Sequence, residues 1–194
     1  MQTLLLRIDG QLLDADAARA LRAHVLSASP GMRVEVYAAA DPAQPETYVY
    51  CTPASADTAG HDLAAVRALA DERYPGAATR ILDALADLDG ASAGEASHWH
   101  YVVETDVLPE AEEDFNAWYD QEHMPGLAAV PGSVRARRLR CPDGGPRYHA
   151  CYDLATQETF GSPPWLAVRA TDWSSRVRPS FRNTKRTMFR KVLA

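Results

Sequence analysis

Two periodicities alternate along the chain. Residues 2–8 (QTLLLRI), 32–39 (MRVEVYAA) and 46–52 (ETYVYCT) are short β-rich runs, closed by turn signals at Asp9-Gly10, Pro30-Gly31 and Asp41-Pro42. Between them, residues 13–27 place Leu13, Ala17, Ala20, Leu21, His24 and Val25 on one helical face, and residues 61–74 align Leu63, Val66, Ala70 and Tyr74. Residues 78–88 follow Pro75-Gly76 and fit either a last strand or a continued helix. The first half therefore reads strand, helix, strand, strand, helix, with a final strand left open. The polar, small-residue stretch at 91–97 reads as a linker.

The second half repeats this order. Residues 98–105 (HWHYVVET), 133–141 (SVRARRLRC), 147–154 (RYHACYDL) and 182–192 (RNTKRTMFRKV) read as strands. Pro109 and the acids Glu110, Glu112, Glu113 and Asp114 suit the positive first turn of a helix. Pro125 disfavours helical backbone at Met124, so this helix is predicted to end there. A helix over 156–171 is interrupted by Pro163-Pro164. Shared offsets link the halves: Pro30-Gly31 and Pro131-Gly132 lie 101 apart, Tyr48 and Tyr148 100, Cys51 and Cys151 100, and His24 and His123 99. Matching offsets and matching element order predict a tandem duplication, with a ferredoxin-like half at 1–90, a linker at 91–97 and a second half at 98–194. The helices of such a half cover one face of its sheet. The other face needs cover as well, so the two sheets of one chain are expected to form an intramolecular α+β barrel with a pocket between sheet and helices.

Composition excludes several classes. The chain has 194 residues, 46% hydrophobic and 24% charged, ordinary values for a globular protein. Three Cys without a CxxC pair argue against a disulfide framework or a Cys-rich zinc site. No apolar run is long enough to span a bilayer, and the N-terminal segment lacks a basic leader, so a cytoplasmic location without membrane contact is expected. Net charge is −6, made of −7 over 1–95 and +1 over 96–194. Basic residues collect at the end, Arg169, Arg176, Arg178, Arg182, Lys185, Arg186, Arg190 and Lys191 against Asp172 alone. They read as a solvated strand and its flanks or as an anion-binding rim. An acidic chain without a groove-reading motif speaks against nucleic acid. No GxGxxG, P-loop or GxSxG motif occurs.

The densest candidate chemistry lies in 115–132, FNAWYDQEHMPGLAAVPG. On a helix Phe115, Trp118, Tyr119, Glu122 and His123 share one broad face. Three aromatics then lead to a carboxylate–imidazole pair at a helix C-terminus, where the dipole favours a protonated ring. Such a His123, oriented by Glu122, suits general acid–base work; as a structural residue it would cap the helix end. His98 and His100 share one face of a strand, and His149 lies on another strand. If His100, His149 and His123 converged they would invite a metal, but no ligand spacing fixes that geometry and no metal is expected. Tyr101, Tyr119, Tyr148 and Tyr152 are candidate oxyanion donors. Arg178, Arg182 and Asn183 flank the last strand and suit a substrate carboxylate or polyketide oxygen; pairing with the acidic first half is the other reading.

The motif Trp118-Tyr119-x-x-Glu122-His123-x-Pro125, followed by Val130-Pro131-Gly132, resembles the dimeric α+β barrel superfamily and within it EthD-like proteins. The ending Trp173, Arg176-x-Arg178-Pro179-x-Phe181-Arg182-Asn183 resembles that group too. The resemblance covers most of 98–192 and reaches the first half by element order only, since His24 is followed by Val25-Leu26. It implies a barrel pocket for a small aromatic or polyketide-like molecule. The expected activity is cofactor-independent: His123, Glu122, His100 and Tyr119 are the catalytic candidates for a cyclisation, isomerisation or elimination on a carbonyl-bearing substrate. Trp118, Phe115, Trp99, Tyr101, His149, Arg178, Arg182 and Asn183 are the binding candidates. The alternatives are a cofactor-free oxygenase on a phenol, a non-catalytic binding or scaffold protein and, further off, a haem-handling protein; a homodimer is compatible with each.

Overall fold

The structure is a computed structural model that describes residues 1–55 and 59–193, the side chains of 59–61 excepted. Its strands are β1 (Gln2–Asp9), β2 (Met32–Ala39), β3 (Glu46–Pro53), β4 (Ala78–Asp89), β5 (Trp99–Val107), β6 (Ser133–Arg140), β7 (Tyr148–Leu154) and β8 (Phe181–Leu193). The open segment at 78–88 is thus a strand, paired antiparallel to β1 from Gln2↔Asp83 to Arg7↔Ala78. Among the described residues the hydrogen-bonded strand order runs β1-β3-β2-β8-β5-β7-β6-β4, a closed barrel. The fold is α+β. By contacts the chain divides into one unit of Met1–Ala84, Cys141–Gly144 and Met188–Ala194, and a second of Leu85–Arg140 and Gly145–Thr187.

In the first unit α1 (Ala15–Ala28) starts at Asp14, whose side chain accepts from the Ala17 N–H at 2.9 Å. Its buried face is Ala18, Leu21 and Val25. Leu13 sits before the helix, its N–H donating to Thr47 Oγ1, and Ala20 is exposed; the predicted face was turned by one residue at its N-terminal end. Helices α1 and α2 (Ala59–Arg73) pack on Leu4, Leu6, Ile8, Val34, Val36, Val49 and Cys51, one face of β1, β2 and β3. Burial pushes the Cys51 thiol up to about 12, which removes it as a nucleophile.

In the second unit the helix predicted to stop at Met124 continues past it. Helix α3 (Glu112–Trp118) runs into a π-helical turn, Tyr119–His123, and then into α4 (Met124–Ala128). The Met124 N–H bonds to the Tyr119 carbonyl, five residues back. Pro125 then falls in the first turn of the restarted helix, where its missing N–H costs no bond. The expected long helix at 156–171 is instead a short turn at Gln157–Thr159 followed by α5 (Pro163–Arg169), opened by Pro163, and α6 (Asp172–Val177), capped by Thr171.

The helix α3 and its π-turn are fastened to the sheet by a buried arginine. Arg138 on β6 is 1% exposed. Its guanidinium lies 4.4 Å from the Tyr119 ring centroid and 5.1 Å from both Phe115 and Tyr148. Its N–H groups donate to Asp120 Oδ1 at 3.0 Å and Asn116 Oδ1 at 2.5 Å. Two acceptors one turn apart and three aromatic faces leave this charge compensated although it is buried.

Corresponding hydrogen bonds recur in the two units. Ala54 N–H donates to the Gly31 carbonyl and Ala155 N–H to that of Gly132; Met32 N–H donates to Ser29 and Ser133 N–H to Val130. Residues 90–92 are pinned as well, their N–H groups bonding to Val134, Ala128 and Ser133 in turn.

Gly90 is required by close approach: a Cβ there would stand 2.1 Å from the Ser133 carbonyl oxygen. Because that neighbour is backbone, Gly90→Ala is expected to destabilise the protein by about 1–3 kcal/mol, read as a fall in the urea midpoint at unchanged m-value.

Candidate functional site

The π-turn carries His123 toward the sheet. Its imidazole stacks on the Trp118 indole, centroids 4.0 Å apart at 20°, and meets Tyr119 edge-on at 5.3 Å. From the sheet, Tyr101 and Val103 of β5 and Tyr152 of β7 project to the same side, and Trp165 of α5 packs edge-on against Tyr152 at 5.3 Å. These groups line a cavity of about 30 Å³. Arg169, Arg178 and Arg186 also line it. Arg169 and Arg178 are half-buried and Arg186 is exposed, so the guanidinium groups mark its mouth.

Three of the residues that line this cavity each carry a buried polar atom without a hydrogen-bond partner: His123 Nδ1, Tyr152 Oη and Trp165 Nε1. An unmade bond at a buried polar atom costs about 1–3 kcal/mol. Three such atoms among the lining residues of one cavity call for an explanation, and hydrogen bonds to a bound molecule would supply it.

The protonation states are well separated. Burial, then the Arg178 and Arg169 charges, lower His123 to about 3, so its ring is neutral at physiological pH. The expected protonated imidazole is corrected here: desolvation and two nearby cations outweigh the helix dipole. Burial raises Tyr119 to about 12 and Tyr152 well above the ordinary phenol range. Both remain hydroxyl donors.

Glu122 does not orient His123. Its Oε1 accepts from Trp118 Nε1 at 3.1 Å and from Thr171 Oγ1 at 2.6 Å. Adjacent residues on a helical turn do not face each other, and Glu122 fixes the indole on which His123 rests. Thr171 also caps α6, so the same bond ties the turn to that helix.

The three histidines do not converge. His100 faces away from Tyr101 by strand alternation. Its Nδ1 lies 2.7 Å from Asp153 Oδ1, the residue directly opposite on β7. His149 stands opposite Glu104, with its Nδ1 3.6 Å from Glu104 Oε1 and its Nε2 3.1 Å from the Pro146 carbonyl. Both occupy the sheet face that points away from His123. Among the described residues no group of three His, Cys, Asp or Glu is placed to hold a metal.

Of the binding candidates, Trp118, Tyr101 and Arg178 line the cavity. Phe115 is fully buried behind it, against Phe181 and Tyr148. Trp99 is half-buried and does not line it; period two sends Trp99 and Tyr101 to one face, but Trp99 stands at the strand's first residue. Arg182 turns back on the Pro179 and Phe181 carbonyls, and Asn183 donates to Asp106 Oδ2, both on the exposed surface. Tyr148 donates to Glu112 at 2.5 Å and so serves the helix–sheet joint. Trp165 was not anticipated. The Pro163-Pro164 pair that opens its helix was visible only as a break, yet Pro at the first helical position is also a start signal.

His123 makes stability depend on pH with a defined sign. Its folded value, about 3, lies below the ordinary 6.5. On acidification the unfolded chain therefore takes up the proton first. This contribution is complete above 6.5 and is lost as pH falls from there toward 3, at a limiting slope of about 1.4 kcal/mol per pH unit. His123→Gln should remove that slope, so the difference in unfolding free energy between the two proteins should change between pH 7 and pH 4. A constant difference would show that His123 does not titrate in this way.

No family model matches the chain, and no curated protein matches it. Solved structures do. A candidate monooxygenase from Fusobacterium nucleatum subsp. nucleatum is 10% identical, with a TM-score of 0.67 over 99% of this chain and 93% of its own. An anthrone oxidase-like protein is 14% identical, with a TM-score of 0.63 over 99% and 91%. A haem-degrading enzyme from Listeria monocytogenes is 8% identical, with a TM-score of 0.57 over 96% and 98%. At these identities the likeness is one of fold, an α+β barrel that includes ferredoxin-like proteins related to antibiotic-biosynthesis monooxygenases.

Proposed function

We propose that this chain is a small-molecule enzyme that holds a phenolate or enolate in the His123 cavity and lets it react with O₂, a cofactor-free oxygenase. The observation that carries the reading is the set of three buried, unpartnered polar atoms on His123, Tyr152 and Trp165 within an aromatic cavity. The likeness to a candidate monooxygenase and to an anthrone oxidase-like protein favours oxygenation over other fates of the same anion.

The chemistry follows from the groups present. The Tyr152 hydroxyl and the Trp165 N–H donate to the substrate oxygen as negative charge develops on it. Fixed donors in a water-poor site are worth about 2.7–4 kcal/mol each in a transition state. The neutral His123 ring takes the substrate proton. The anion formed beside it then raises the affinity of the imidazole for that proton. Such an electron-rich anion reduces O₂ directly. A ring CH₂ becomes C=O, one oxygen atom enters the product and the other leaves as water, so no external reductant is needed. Entry requires the mouth to open, because about 30 Å³ holds one or two waters. The arginines there are long side chains that can swing without backbone motion.

The alternative is His123-centred cyclisation, isomerisation or elimination. It shares the deprotonation and differs in consuming no O₂. We also read the two halves as a tandem duplication related to EthD-like proteins, with the first half lacking the Glu-His-x-Pro motif. The hydrogen bonds repeated at an offset of 101 support that reading.

With 1,8-dihydroxyanthrone as substrate, the protein should consume one O₂ per quinone formed, followed with an oxygen electrode and by absorbance. Tyr152→Phe and His123→Gln should each lower kcat/KM by about 10²–10³-fold while the far-UV circular dichroism is unchanged. Turnover to an isomer or cyclised product without O₂ uptake would instead establish the proton-transfer reading.

A further inference from the structure

The mouth of the cavity holds more positive charge than a single phenolate needs. Arg169 ends α5, Arg178 follows α6 and Arg186 projects from β8, and all three line the same opening. Elsewhere in this unit arginines have carboxylate partners: Arg135 with Asp87, Arg138 with Asp120, Arg147 with Glu112 and Arg176 with Asp114. Among the described residues, none of the three at the mouth has an ion-pairing carboxylate. Arg178 Nη2 donates to the Arg169 backbone carbonyl at 2.5 Å, which ties the Arg178 fork to the end of α5. Burial and the charges of Arg169 and Arg186 lower Arg178 below the usual guanidinium range, so the three cations repel one another in the free protein. The unpartnered polar atoms of His123, Tyr152 and Trp165 belong to residues that line the same cavity, are more deeply buried than the three guanidinium groups, and are neutral.

We infer that the cavity takes an aromatic acid: a flat ring system with a phenol or enol oxygen at its inner end and a carboxylate at its outer end, received by Arg169, Arg178 and Arg186. This inference rests on the oxyanion reading of the same cavity and extends it to the other end of the ligand. The planar two-oxygen group matches the guanidinium fork and relieves the repulsion among three like charges. The aromatic walls, Tyr101 and Trp165 among them, suit a ring between the two polar ends. A small hydrated anion would fill the mouth and leave the inner polar atoms unmet.

Isothermal titration calorimetry of the full chain with three probes separates the parts of this claim. 6-Hydroxy-2-naphthoate carries both polar ends, 2-naphthol only the hydroxyl and 2-naphthoate only the carboxylate. The hydroxynaphthoate is expected to bind at least tenfold more tightly than 2-naphthol, and this preference should shrink as NaCl rises from 50 to 500 mM. Arg186→Gln, on an exposed strand position, and Arg169→Gln should each reduce the preference at least threefold. Equal affinity for hydroxynaphthoate and naphthol, or a preference undiminished in both variants, overturns the carboxylate site and leaves the oxyanion reading standing. Naphthoate binding as tightly as hydroxynaphthoate supports the carboxylate site and removes the oxyanion reading. Failure of all three probes to bind overturns both.

Discussion

A single buried guanidinium holds the candidate site together. Arg138 comes from the sheet, yet it is met by Phe115 and Asn116 of α3 and by Tyr119 and Asp120 at the start of the π-turn. A buried charge tolerates little displacement, because each lost partner leaves it partly uncompensated in a medium of low polarity. The helix is thereby held in one register against β6 and β7. Since Trp118, Tyr119 and His123 follow on that same helix, the position of the imidazole over the sheet is a consequence of where Arg138 sits.

The π-turn converts that register into chemistry. The i+5 spacing of the turn sets His123 over Trp118, five residues back, while Glu122, at the ordinary i+4 spacing, bonds to Trp118 and reaches Thr171. The imidazole is left pressed on an indole, desolvated and faced by cations, and it is neutral for those reasons. Tyr152 and Trp165 complete a small cavity whose polar atoms are all uncharged, while the charge stands at the mouth. Separation of neutral donors inside from guanidinium groups outside suits a ligand that is itself polar at both ends and apolar between them.

Much of the architecture was legible in the chain. Strand runs such as 32–39 and 46–52 coincide closely with β2 and β3, because the preference of Tyr, Val and Thr for extended backbone acts locally. The clustering of Phe115, Trp118, Tyr119 and His123 is also legible in the chain, because aromatics at helical spacing around a histidine form a dense local signal. Where the reading went astray, a neighbour's preference was outweighed by tertiary packing. Pro125 locally argues against helix at Met124, but the widened turn before it removes the conflict. Pro163-Pro164 was read as a break and in fact opens α5, which carries Trp165. Strand parity separates His100 from Tyr101 and His149 from Tyr152, but only the register between β5 and β7 puts the two histidines on one face, and only packing decides which face meets the helices.

By itself, then, the sequence determined most of the element order, the alternation of faces along each strand and the set of residue types available to a site, while 78–88 and 156–171 were settled by the fold. Those depend on interactions a few residues long. Only the tertiary structure decided that His123 is neutral and unpaired at Nδ1, that Glu122 serves Trp118, and that Arg169, Arg178 and Arg186 meet at one opening while Arg182 and Asn183 do not. The physical reason is common to all of these. Protonation, pairing and convergence depend on burial and on charges brought close by folding, and neither quantity is a property of sequence spacing.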